Sequence, residues 1–168
     1  MNPRPLAAAA AAGVLLLTGG CGEDVNKDAI PELEQQREDV LAWAGTLSKT
    51  AEDVLDTAPE NAIETYDGAA RTGASDEFTS FHYVLQADFS TATADPLSVL
   101  SGELSEFDPK ISGQTLTLAK GDLTASFRAY PQARGKVGLE AAGPAVEIEE
   151  SRMSEWDGWV IGEPVDLG

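Results

Sequence analysis

The sequence predicts a mixed α+β domain: one twisted antiparallel sheet of about four to six strands, with a long N-terminal helix and a short second helix on one face. Two observations carry this. Apolar residues recur every three or four positions over residues 31–56, and they alternate strictly over residues 79–89. Four further short strand signals with tight turns between them follow toward the C-terminus.

The first helix is expected over residues 31–56. Leu33, Val40, Leu41, Ala44, Leu47, Ala51, Val54 and Leu55 form one apolar stripe, bracketed by Pro31 and Pro59. Positions 33, 40, 47 and 54 are also heptad-spaced, but the stripe is short and holds alanines, so packing on a sheet is expected over a coiled coil. Residues 58–77 are polar and Gly-rich apart from Ile63 and Tyr66 and read as loop.

In residues 79–89, Phe81, Tyr83, Leu85, Ala87 and Phe89 face one way and His82, Val84, Gln86 and Asp88 the other, a half-buried strand. Asp95-Pro96 starts the second helix, with Asp as cap and proline where its missing N–H costs nothing. Leu97, Leu100 and Leu104 are its stripe, and Asp108-Pro109 ends it. Strands are expected at 115–119, 123–130, 136–141 and 145–150, and a last edge strand at 156–161. No internal repeat is present, and residues 31–168 read as a single domain.

The chain opens with Arg4 and an uncharged, mostly apolar run over residues 6–18, then Gly19-Gly20-Cys21. That run is shorter than the roughly 20 residues needed to span a bilayer and fits the core of a signal peptide. Residues 1–20 are therefore expected to be removed, with cleavage between Gly20 and Cys21. The stretch Leu15-Leu16-Leu17-Thr18-Gly19-Gly20-Cys21 resembles the lipobox of bacterial lipoproteins, except that Thr18 stands where the pattern has Leu. The resemblance implies that Cys21, the only cysteine, carries a lipid and palmitate-type acyl chains. Residues 21–30 then form a short tether reaching about 30 Å at most. The expected location is the extracytoplasmic face of the cell membrane. An ordinary secreted protein cut at a nearby small-residue site is the competing reading.

All 29 Asp and Glu, and all but one of the 11 Lys and Arg, lie beyond Cys21, in a chain of net charge −18. Such a chain is repelled by nucleic acid and by anionic lipid head groups, which excludes nucleic-acid binding. Its expected partners are the membrane, through the anchor, and a basic envelope protein or a cell-wall component. A monomer is expected.

The residues that could carry chemistry are few. His82 is the only histidine, so His-paired metal sites are excluded and a Ser-His-Asp triad would need that one residue. With Cys21 as the anchor, no disulfide or cysteine nucleophile remains. Glu147 and Glu149 share a strand face, with Glu155 and Asp157 nearby, but a solvated acidic face is expected in preference to a catalytic pair. No metal or other cofactor is expected, and no enzyme activity. Glu155-Trp156-Asp157-Gly158-Trp159 stands out: Trp156 and Trp159 could contact a sugar or a peptide, or could pack their indoles onto the core.

The lipobox, the N-terminal helix, and the meander with Gln114-Thr115-Leu116-Thr117-Leu118 and Lys120-Gly121-Asp122-Leu123-Thr124 together resemble small lipoproteins of high-GC actinobacteria. The resemblance implies location and fold rather than an activity. It also implies a cysteine pair across the sheet, where this chain has Gly143-Pro144-Ala145-Val146. The sequence therefore points to a noncatalytic binding or accessory lipoprotein of the cell envelope, with an envelope hydrolase using paired carboxylates as the alternative.

Overall fold

The computed structural model describes residues 28–70, 78–133, 135–149 and 156–167. Gly20, Cys21 and the whole signal segment lie outside the described residues, as does Glu155. Among the described residues the fold is α+β: two α-helices and one antiparallel sheet of eight strands.

Helix α1 spans Ala29–Leu55. It begins two residues earlier than the stripe suggested, so Ala29 and Ile30 form its first turn instead of ending a tether. The Asp28 carbonyl accepts the Glu32 N–H at 2.8 Å. Pro31 falls in this first turn, where backbone N–H groups have no intrahelical partner and a proline is tolerated. Asp56 closes the helix in the left-handed region at φ 53°. Leu33, Val40, Trp43, Ala44, Leu47 and Ala51 are fully buried. Burying a Leu side chain completely stabilises the fold by about 1.5–3 kcal/mol.

The strands are β1 (Glu60–Ala70), β2 (Phe78–Ser90), β3 (Lys110–Ser112), β4 (Thr115–Lys120), β5 (Leu123–Ala129), β6 (Lys136–Ala142), β7 (Val146–Glu149) and β8 (Ile161–Pro164). Helix α2 (Pro96–Glu103) joins β2 to β3 through one 3-10 turn at Ser105–Phe107. The Asp95 carboxylate accepts the Ser98 N–H at 3.3 Å, the expected cap. The sheet order is β3-β4-β5-β6-β2-β1-β8, and β7 also pairs with β2. β2 is thus the centre: β1 lies along one side, and β6 and then β7 along the other. Both helices pack on the same inner face, over Tyr83, Leu85, Phe89, Leu116, Phe127 and Leu139.

The count of eight strands corrects the expected four to six. The main error lies at residues 58–77, read as loop, where β1 pairs with β2 from Glu60↔Asp88 to Ala70↔Thr79. Its inward side carries Glu64 and Tyr66, and the charged residue hid the alternation. Gly68 lies opposite Phe81, whose ring comes so close that a Cβ there would clash with it. β3 was also unforeseen. It is a three-residue edge strand turned onto β4 by Gly113 at φ 59°. The last strand begins only at Ile161, the end of the segment expected to form it, because Trp156 and Trp159 pack into the inner face before the chain reaches the β1 edge.

Candidate functional site on the open face of the sheet

Strand alternation sends half of each strand away from the helices, and the register arranges those residues in rows. One row runs Thr115, Arg128, Gly138, Asp88 across β4, β5, β6 and β2. The next runs Thr117, Ser126, Glu140, Gln86, Ile63 and reaches β1. With Asn61 of β1 beside them, polar side chains from five strands line one surface. Gln86 Nε2 donates to Glu140 Oε2 at 2.9 Å, tying the rows' centre across the β2–β6 pair.

Gly138 leaves a gap in the first row, and Tyr130 fills it. A Cβ at position 138 would lie 2.7 Å from the Tyr130 hydroxyl oxygen and 3.1 Å from Cε2, so the hydroxyl end of the ring reaches the glycine. The turn fixes the Tyr130 backbone. The Tyr130 N–H donates to the Lys136 carbonyl at 3.0 Å, the Ala133 N–H to the Tyr130 carbonyl at 3.1 Å, and the Lys136 N–H to the Ala133 carbonyl at 3.0 Å. Between Tyr130, Asp88, Arg128, Gln86 and Glu140 lies a depression of about 400 Å³. At one end of the face, Glu60 accepts from Lys136 Nζ at 2.7 Å and from Ser90 Oγ at 2.9 Å. Its carboxyl is held below the ordinary glutamate range by the Lys136 hydrogen bond, the Ser90 hydrogen bond and the ammonium charge.

The inner face carries a different polar group. The Glu64 side chain is 7% exposed and Arg37 from α1 is 38% exposed. Arg37 Nε and Nη2 each donate to a Glu64 oxygen at 2.7 Å, a bidentate pair. The Tyr83 hydroxyl donates to Glu64 Oε2 at 2.6 Å. Burial would raise the Glu64 pKa, but the hydrogen bonds from Arg37 and Tyr83 and the guanidinium charge outweigh it and leave the carboxyl below its usual value. Burial pushes the Tyr66 phenol up to about 12, and its hydroxyl donates to the Leu33 carbonyl at 3.1 Å. Burial and the neighbouring Glu64 carboxylate raise Tyr83 as well. Gln36 completes the lock: its Nε2 donates to the Pro144 carbonyl at 2.7 Å, and its Oε1 accepts the Tyr83 N–H. Every named group here is spent on joining α1 to the sheet.

Trp156 is 8% exposed and Trp159 is half-buried. Their rings meet edge to face at 4.8 Å, and both contact Tyr66, at 4.9 and 5.6 Å. Trp159 also meets Phe81 at 4.8 Å, and Trp156 Nε1 donates to Glu34 Oε1 at 3.3 Å. Both indoles therefore belong to the aromatic cluster of the inner face. Asp157 between them is exposed, Glu147 is exposed on β7, and His82 is half-buried on β2. The structure does not bring these three to the depression. Among the described residues, no group of three or more His, Cys, Asp and Glu is placed to hold a metal ion, and no helix is long and apolar enough to cross a membrane.

Reading the sequence placed Gln86 and Asp88 on the polar side of β2 but missed Arg128, Tyr130, Gly138 and Glu140 as their companions. Arg128 lies in β5, Gly138 and Glu140 in β6 and Tyr130 just after β5, and only the register joins them. No family model, curated protein or solved structure matches this chain.

Proposed function

We propose that this protein is a lipoprotein anchored to the extracytoplasmic face of the cell membrane through Cys21, where it binds a component of the envelope without transforming it. The observation that carries the binding half is the open sheet face, where polar side chains from five strands line one depression beside an exposed aromatic ring. The apolar run at residues 6–18 ending at the sole cysteine supports the anchor. The tryptophans, offered by the sequence as a partner contact, support it less, since Trp156 is buried.

Two experiments test this. Detergent phase partitioning of the wild type and Cys21→Ala should place only the wild type in the detergent phase; aqueous partitioning of both would overturn the anchor. Crosslinking in the native envelope from a photoreactive residue replacing Thr115, at the rim of the depression, should trap a component that the same residue at Glu103 on α2 does not. Equal trapping at both positions would remove the site.

A second reading, an envelope hydrolase with paired carboxylates, is favoured by one observation. Asp88 and Glu140 are diagonal neighbours on adjacent strands and line the same depression, at a spacing on the order of 5–8 Å that suits glycoside hydrolysis. It stands second because a general acid is normally kept protonated by an apolar pocket, and Glu140 is exposed. Release of reducing ends from envelope glycan by the wild type, abolished in Glu140→Gln, would place it first.

A further inference from the structure

We infer that the depression on the open face is a carbohydrate site, in which a sugar ring of an uncharged oligosaccharide lies on Tyr130. This rests on the binding reading above and names its ligand class. The hydroxyl end of Tyr130 lies against Gly138, and the residue remains 39% exposed. A partly exposed phenol on this face offers an apolar ring and a polar hydroxyl, which match the C–H face and the hydroxyl rim of a pyranose.

The groups around the platform have the complementary polarity. Asp88 and Arg128 flank Gly138 on either side in register, and Gln86 and Glu140 stand in the next row. Carboxylate, guanidinium and amide each present two polar atoms in one plane, so each can engage two neighbouring hydroxyls at once. Sugars supply such pairs; an apolar ligand supplies none.

Other ligand classes fit less well. An extended peptide adds to a sheet through the backbone of an edge strand, but β5, β6 and β2 beneath the depression are each paired on both sides. A polyanion would meet Asp88 and Glu140 in a chain of net charge −18. Shape points the same way. The depression of about 400 Å³ is adjoined by one of about 100 Å³ that shares Ser126 and Glu140. Two adjoining hollows on the open face leave room for more than one sugar unit.

The test is saturation-transfer NMR on the full-length protein in detergent micelles. The panel is uncharged di- to hexasaccharides of glucose, galactose, mannose, arabinose and N-acetylglucosamine, with a sulfated glycan as the charged control. At least one neutral member should receive saturation on its ring protons, and the sulfated control should receive none. Tyr130→Ala should weaken that binding about tenfold, while Tyr130→Phe, which keeps the ring beside Gly138, should stay within about threefold. Preserved amide dispersion in both variants establishes that they are folded. Binding by no neutral member, or equal binding by wild type and Tyr130→Ala, overturns the inference. Envelope crosslinking at Thr115 that persists without glycan binding would leave the general binding reading standing and remove the sugar. Tyr130-dependent binding followed by cleavage of the glycan would keep the site and remove the noncatalytic reading.

Discussion

Glu64 and Glu140 sit in neighbouring parts of one sheet and meet opposite conditions. Glu64 points toward α1, is 7% exposed, and receives three hydrogen bonds from Arg37 and Tyr83. Glu140 points away from the helices, is exposed, and receives the Gln86 amide at 2.9 Å. On the covered face a carboxylate persists only because a bidentate cation and a phenol replace the water it lost. On the open face water does that work, so the polar groups there keep bonding capacity that a ligand can use. A charge in this sheet is therefore structural or available according to which way its strand position points.

The sharpest way to break the covered face is to bury a charge without partners. Leu47→Asp places a carboxylate at a fully buried helix position and should cost about 4–5 kcal/mol or more. Urea denaturation should find it unfolded or nearly so, and a native-like midpoint would refute the docking of α1.

Trp156→Ala removes a buried indole from its contacts with Tyr66 and Trp159 and should cost about 3–4 kcal/mol. Trp159→Ala, at a half-buried position, should cost less, about 2 kcal/mol. Melting temperatures of both, read beside partner recovery in the envelope, separate packing from recognition. An unchanged melting temperature with lost recovery would make the pair a contact site after all.

Glu64→Ala should cost about 2–3 kcal/mol, less than a fully buried pair because Arg37 keeps access to water. The pair also gives stability a sign with pH. The folded Glu64 pKa lies below the unfolded one, so the unfolded state binds the proton first as pH falls. The contribution is fully present above the unfolded value of about 4.3 and is lost as pH drops through the depressed folded value. Denaturation midpoints of wild type and Glu64→Gln between pH 7 and 2 should converge at the acid end. A constant gap would exclude the linkage.

The smallest effect belongs to the open face. In Gly138→Ala the new methyl meets the far end of the Tyr130 side chain, which can swing outward into water, so stability should fall by only about 1 kcal/mol. The Tyr130 ring signals in NMR should nevertheless shift, and glycan binding should weaken as in Tyr130→Ala. A loss near that of Trp156→Ala would mean that the ring is part of the core.

Several features could be read before any fold was known. The stripe from Leu33 to Leu55, the alternation from Phe81 to Phe89 and the Asp95-Pro96 cap each arise from short-range periodicity or local hydrogen bonding, which the residues carry themselves. So do the acidity of the chain and the apolar run that ends at Cys21. Strand β1 was not legible, because its inward position 64 is a glutamate whose burial depends on Arg37, 27 residues away. The open-face site was not legible either. Asp88, Arg128 and Gly138 come from three strands, and only the pairing Asp88↔Gly138↔Arg128 makes them neighbours. Local pattern fixes which side of a strand a residue faces, whereas strand order and register decide whom it faces there, and those are set by the packing of the whole sheet against α1.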